Sequence, residues 1–175
     1  MLVCAFTVVF APNNKNPKTK VAYDAIDTQA SGANSPALAA KVVADECAIG
    51  VVGGMYSGET LAAVPIYEGG KVPVVSPSAT NPALTNKSAI FHRVVANDSF
   101  QGPALARYAA EGVSSPKYYM IDDQSTYGQP LIKENATPTA KKLGTIVGTE
   151  SFPDDTKDFT STVAKVKSSG ANIVL

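Results

Sequence analysis

The chain has 175 residues, of which 45% are hydrophobic and 17% charged, a balance that suits a packed core and excludes intrinsic disorder. Fifteen basic and fifteen acidic side chains cancel, and basic clusters are as short as Lys141-Lys142. No net field therefore draws nucleic acid or an anionic membrane, and phosphate-backbone binding is excluded as the main task.

The first apolar run, Leu2 to Ala11, is shorter than the roughly 18 residues that span a bilayer. It lacks the basic flank of a secretory signal and reads as a buried strand or as the end of a longer chain. Within it Val3 to Phe10 is β-prone. Ala11 to Lys20 is a polar loop, and Lys20 to Asp24 a short strand. Ser35-Pro36 supplies a cap and a first-turn proline to a helix whose apolar face is Leu38, Val42 and Val43. Ala48 to Gly53 is a continuous apolar run of the buried-strand kind. It leads through Gly53 to Gly58 into a helix carrying Leu61, Val64 and Ile66.

Val72 to Ser76 is the next strand, Pro77 to Pro82 a loop, and Ile90 to Val95 another strand. Asn97-Asp98-Ser99 caps a helix predicted to turn Leu105, Tyr108 and Ala109 inward. Lys117 to Ile121 is a strand, and Asp122 to Gly128 is its exit loop. The helix from Gln129 to Lys142 contains Pro138, which should kink or split it. Thr145 to Phe152 is a strand. Asp158 to Ser169 is a helix with Phe159, Val163 and Val166 on one side, and Asn172 to Leu175 begins a last strand. That strand ends with the chain, which reads as a truncation. Strand, loop and helix in repetition imply an α/β fold with parallel sheets and helices on both faces. Ligands of such sheets bind outside the carboxyl ends of the strands. The rule points to Met55 to Gly58, Ser76 to Asn81 and Asp123 to Gly128.

Several chemistries find no support. The lone histidine, His92, lies in an apolar strand, so a Ser-His-Asp triad has one unsuited candidate. There is no Gly-x-Ser-x-Gly elbow, no Gly-x-Gly-x-x-Gly fingerprint and no Walker-type loop. One His, the scattered Cys4 and Cys47, and the pair Asp122-Asp123 make no recognisable metal site, and no cofactor is expected. Cys4 and Cys47 could form one disulfide or both stay free.

Two loops combine hydroxyls with free backbone donors. Tyr56-Ser57-Gly58 opens a helix, whose first N–H groups and partial positive charge suit a carboxylate. In Ser76-Pro77-Ser78-Ala79-Thr80-Asn81-Pro82, Thr80 can donate its hydroxyl and its N–H to that carboxylate. The Ala79 carbonyl can accept from an ammonium, and together these groups complement a zwitterion. The competing reading is plain helix capping by Ser57 and a turn at Pro77 to Pro82.

Around these loops the sequence resembles the Leu/Ile/Val-binding family of ABC-transporter substrate-binding proteins. The residues that carry the resemblance begin with Val51-Val52-Gly53-Gly54-Met55-Tyr56-Ser57 and Pro65-Ile66-Tyr67-Glu68. They continue through Val72 to Pro82, Leu84-Thr85, Phe91-His92-Arg93-Val94, Asn97-Asp98, and Gln101-Gly102-Pro103-Ala104. Asp122-Asp123 and Tyr127-Gly128 complete the set, and Ser-Pro-x-Ala-Thr-Asn-Pro is its most specific part.

The resemblance implies the type I periplasmic binding fold, two doubly wound parallel-sheet lobes closing on a ligand, here with the second lobe incomplete. The first lobe would be residues 1–97 and the second 98–175, with a hinge strand near Ala96 to Ser99. It also implies roles. Ser57 and Thr80 would hold a ligand carboxylate, and the Ala79 carbonyl its ammonium. Tyr56 and Ser78 would line the pocket, and Tyr127 would seal it from the second lobe. The ligand would be a small, aliphatic, branched-chain amino acid, the partner an ABC permease, and the place the periplasm or cell surface. No covalent chemistry is expected; amides or urea are the rival solutes on the same fold. Against the family pattern, Met1 to Asn16 stands where the first strand, loop and helix are expected, and Pro138 interrupts a helix that is normally continuous.

Overall fold

A computed structural model of the chain describes residues 24–175 and the backbone of 5–8. It divides into two compact units, Met1–Val95 and Ala96–Leu175.

The first unit is built on a five-stranded sheet of order β2-β1-β3-β4-β5. The strands are β1 (Ala5–Val8), β2 (Asp24–Asp27), β3 (Val51–Val52), β4 (Val74–Ser76) and β5 (Phe91–Arg93). From β3 to β5 the strands are parallel, with Val51 opposite Val74 and Val74 opposite Phe91. Val51, Val74 and Phe91 are buried in the core, while Val52 and His92 are exposed. The departure is β1, which runs antiparallel to both β2 and β3, so this sheet is mixed rather than all parallel. It lies between β2 and β3 and gives their facing edges backbone partners they would otherwise lack. The expected loop at Ala11 to Lys20 lies outside the described residues, as does Cys4. So does all of the expected strand at Lys20 to Asp24 but its final residue, which opens β2.

Helix α1 (Ser35–Ala44) starts one residue earlier than the Ser-Pro signal implies. Asn34 holds the cap position, Ser35 is the first helical residue, and its hydroxyl donates to the Ser31 carbonyl at 2.8 Å. Helix α2 (Ser57–Gly69) packs on α1 and turns Ala63, Val64 and Tyr67 into a core shared with Ala39, Val42, Val51, Val72, Val74, Leu84 and Phe91. Leu61 and Ile66 pack against its margin.

In the second unit β6 (Lys117–Asp122) lies between β7 (Thr145–Ser151) and β8 (Ile173–Val174), all parallel. Helix α3 (Asp98–Ala110) is capped by Asn97, whose side chain accepts from Ser99 N–H at 3.0 Å. Of the three residues expected on its inner face only Ala109 packs against the core. Leu105 and Tyr108 are exposed, Tyr108 by 79%, while Gly102 and Ala106 are buried. Close approach is the reason: a Cβ on Gly102 would lie 2.5 Å from Asn135 Cβ and 2.7 Å from the Ala136 nitrogen. Small residues let α3 meet the helix opposite it backbone to backbone, and the large side chains turn to water.

That opposing helix, expected to kink or split at Pro138, runs without a break through the proline but changes type ahead of it. It consists of α4 (Gly128–Pro130), a π-helical segment at Leu131–Ala136, and α5 (Thr137–Leu143) with Pro138 in its first turn. Two carbonyls of the wide turn take side-chain bonds, and that of Ile132 also accepts the Thr137 N–H. Asn135 Nδ2 donates to Pro130 O at 2.8 Å, and the Thr137 hydroxyl donates to Ile132 O at 2.7 Å. Helix α6 (Thr160–Ser169) packs on β7. It buries Thr162 and half-buries Val166, whereas Phe159 and Val163 are largely exposed, against the expected face. Val166 is common to the expected face and the inner one, where Thr162 and the partly buried Ser169 stand in place of Phe159 and Val163. Among the described residues no helix is long and apolar enough to cross a membrane.

Candidate functional site

Three connections of the first unit converge at the carboxyl ends of its parallel strands: the end of β2, the β3–α2 turn and the β4–β5 loop. Ser76, the last residue of β4, holds the loop by its root. Its hydroxyl donates to Gly54 O at 2.5 Å and accepts from the backbone N–H of Ala79 at 2.9 Å and of Ser78 at 3.3 Å. Ser78 donates to Met55 O at 2.7 Å. Ser57, first in α2, accepts the Asn81 N–H at 3.1 Å. Asn81 in turn caps the 3₁₀ turn at Pro82–Leu84, its side chain accepting from Ala83 N–H at 2.7 Å. The loop thus folds back onto the β3–α2 turn and brings Tyr56, Ser57, Ser78, Ala79 and Thr80 together.

Two charged side chains support the loops from inside. Glu59, 1% exposed, accepts from Met55 N–H at 2.7 Å, Tyr56 N–H at 3.0 Å and the Thr28 hydroxyl at 2.5 Å. A buried carboxylate is tolerable only with such donors, and the N-terminus of α2 adds a favourable partial charge. Glu59 therefore takes the N–H groups leading into the helix. From β5 Arg93 Nη1 donates to the carbonyls of Ala79 and Asn81, each at 3.0 Å, and Nη2 reaches the Thr85 hydroxyl. Burial and, secondarily, the charge of Glu59 push the Tyr67 phenol up to about 12.

Thr80 differs from the other loop hydroxyls. The residue is 8% exposed, and its Oγ1 has no hydrogen-bond partner. An unsatisfied buried hydroxyl costs about 1–3 kcal/mol, and such an orphan marks a place where an outside group is received. Ser57 is 2% exposed, and the bond from Asn81 leaves its own proton available. Tyr56 is half-exposed and Ser78 partly buried.

Tyr127 belongs to the second unit, at the mouth of the β6–α4 loop. It is 37% exposed, and its hydroxyl accepts from Gln101 Nε2 at 2.6 Å. The Asp122-Asp123 pair shapes this loop. Asp122 accepts from Gln124 N–H at 3.0 Å and the Ser151 hydroxyl at 2.6 Å, with Lys133 3.5 Å away. Asp123 accepts from Ser125 N–H at 2.9 Å. A concavity of about 390 Å³ lined by Asp122, Asp123, Leu131, Phe152 and Phe159 opens beside it. The first unit has one of about 370 Å³ between β2 and α1, lined by none of the loop residues above.

Sequence reasoning passed over Thr28, Glu59 and Arg93 as contributors to the site, and placed Ser76 in the loop without giving it a role. Glu59 had a legible signal, a glutamate at the third position of a helix, where it can turn back to the preceding N–H groups. Among the described residues no group of three or more His, Cys, Asp or Glu could hold a metal ion, and Cys47 is exposed.

A family model described as periplasmic binding protein matches residues 8–175. The Leu/Ile/Val-binding protein of Escherichia coli K12 is 31% identical over 139 residues, 79% of this chain and 38% of its own length. The leucine-, isoleucine-, valine-, threonine- and alanine-binding protein of Pseudomonas aeruginosa is 31% identical over 140 residues, again 79% of this chain and 37% of its own. Among solved structures, a leucine binding protein from Thermotoga maritima aligns with a TM-score of 0.77 and 27% identity, over 85% of this chain and 42% of that one. A branched-chain amino acid transporter substrate binding protein from Streptococcus pneumoniae, in complex with isoleucine, aligns with a TM-score of 0.74 and 27% identity over the same shares. The chain thus spans about two-fifths of the length of the relatives it matches.

Proposed function

The chain belongs to the periplasmic binding protein family, a family of solute-binding proteins, and from that premise we propose that it carries the ligand-holding loops of one that captures a small, aliphatic, branched-chain amino acid for an ABC importer. The observation that carries this reading is the buried Thr80 hydroxyl, unpartnered beside Ser57 at the start of α2. A ligand carboxylate would accept from both hydroxyls. The Ala79 carbonyl, with one lone pair engaged by Arg93, keeps a second for the ligand ammonium. Tyr56 and Ser78 line the place. Residues 1–97 and 98–175 form the two lobes, joined at Ala96-Asn97 by the cap of α3 and not by the expected hinge strand, and the protein works in the periplasm or at the cell surface. The relatives' branched-chain specificity supports the ligand class.

Isothermal titration of the purified chain with leucine, isoleucine, valine, alanine and glutamate tests the reading. Saturable heat for an aliphatic amino acid, lost in Thr80→Ala, is the expected result. Heat that Thr80→Ala leaves unchanged would remove Thr80 from the site, and no heat for any would remove the binding function from this chain.

A further inference from the structure

We infer that Arg93 is the positioning residue of the β4–β5 loop, clamping the backbone on either side of Thr80 so that its hydroxyl is held for the ligand; this rests on the ligand-site reading above. Arg93 stands opposite Ser76 in the β4–β5 register, and the N–H of Val94 donates to Ser76 O at 3.2 Å. Its side chain therefore leaves the sheet level with the root of the loop. From there one nitrogen, Nη1, reaches the carbonyls of Ala79 and Asn81 together, each at 3.0 Å. Those carbonyls belong to the peptide that leads into Thr80 and to the one that leaves Asn81. Nη2 continues the fork to the Thr85 hydroxyl beyond the 3₁₀ turn. The guanidinium lies 5.9 Å from the centre of the Phe91 ring, two residues back on the same strand.

Three bonds from one planar group hold both ends of a short segment at fixed spacing. That geometry needs the five-donor fork of arginine. A lysine keeps the charge but offers a point donor on a flexible stem. The loop has no regular ladder of its own across residues 77–81, so its shape depends on these side-chain bonds and on those of Ser76 and Ser57. A residue that merely stabilised the unit would act on the whole unit alike. A clamp acts on this loop first and on affinity through it.

The test compares the parent chain with Arg93→Lys and Arg93→Ala by hydrogen exchange of residues 77–86, by thermal unfolding and by leucine titration. Exchange of 77–86 should rise about tenfold or more in both variants, as expected for losing charge-assisted bonds. Other segments of the first unit should keep their rates, and leucine affinity should fall by a similar factor. Methylguanidinium, but not methylammonium at equal ionic strength, should restore both in Arg93→Ala. Unchanged exchange at 77–86, or a lysine variant that behaves like the parent, would overturn the clamp. So would an affinity loss that follows only general unfolding. A parent chain that takes up no amino acid overturns the ligand reading instead, so the two failures are read on separate measurements.

Discussion

Glu59→Ala would remove from the first turn of α2 a carboxylate that accepts three hydrogen bonds, from Met55 N–H, Tyr56 N–H and the Thr28 hydroxyl. Each bond to a charged acceptor contributes about 1.5–3 kcal/mol, but the three act as one network and do not add. Met55 and Tyr56 are partly exposed, so water can reach their freed N–H groups. Thr28 is 3% exposed and its hydroxyl would be left dry. The net cost should be about 3–5 kcal/mol, the range for breaking a buried charged network. Glu59→Gln keeps one oxygen for both N–H groups, and Thr28 can rotate its hydroxyl to accept from the new amide. It loses the charge and its interaction with the helix N-terminus, for about 1–2 kcal/mol. Urea unfolding followed by circular dichroism measures both. An alanine variant within about 1 kcal/mol of the parent, or a glutamine variant as damaged as the alanine one, would refute the network as the support of the β3–α2 turn.

Four further outcomes are expected. Thr80→Val keeps the shape but removes the orphan hydroxyl, so the ligand-free chain should hold or gain about 1 kcal/mol in urea unfolding while leucine affinity falls; a marked loss of stability would mean the hydroxyl is already satisfied. Gly102→Ala pushes a Cβ into the π-helical segment and should destabilise the second unit by about 1–3 kcal/mol in urea unfolding. The Tyr67 phenol, raised from 10.0 to about 12, is held protonated more firmly by the fold than by the unfolded chain. Its contribution is therefore complete below about pH 10 and lost as pH rises toward 12, and unfolding midpoints should fall across that window. Ultraviolet titration of Glu59→Gln should show Tyr67 lowered but still above 10.0, since burial is the larger cause.

Much of the fold was legible because it follows from local patterns. Runs such as Val51-Val52 and Val72 to Val75 read as strands, and Asn97 as a cap. The run from Ser76 to Asn81 stands out as a loop at the carboxyl end of a strand, with a plain turn as the competing reading until the family resemblance is added. Inward faces were harder. The apolar spacing of Leu105 with Tyr108, and of Phe159 with Val163, pointed to faces that the structure leaves exposed. In α3, Gly102 and Ala106 decide the contact by allowing close approach, and hydrophobicity does not report closeness.

The sequence by itself determined the α/β class, the order of the elements and the loops that carry the hydroxyls, since each depends on residues within a few positions of one another. Tertiary structure alone decided that β1 enters the sheet antiparallel, that Thr28 meets Glu59 across 31 positions, and that Arg93 reaches back to Ala79 and Asn81. Those bonds depend on strand register and on which charged groups packing shuts away from water, and a chain read one neighbourhood at a time carries neither.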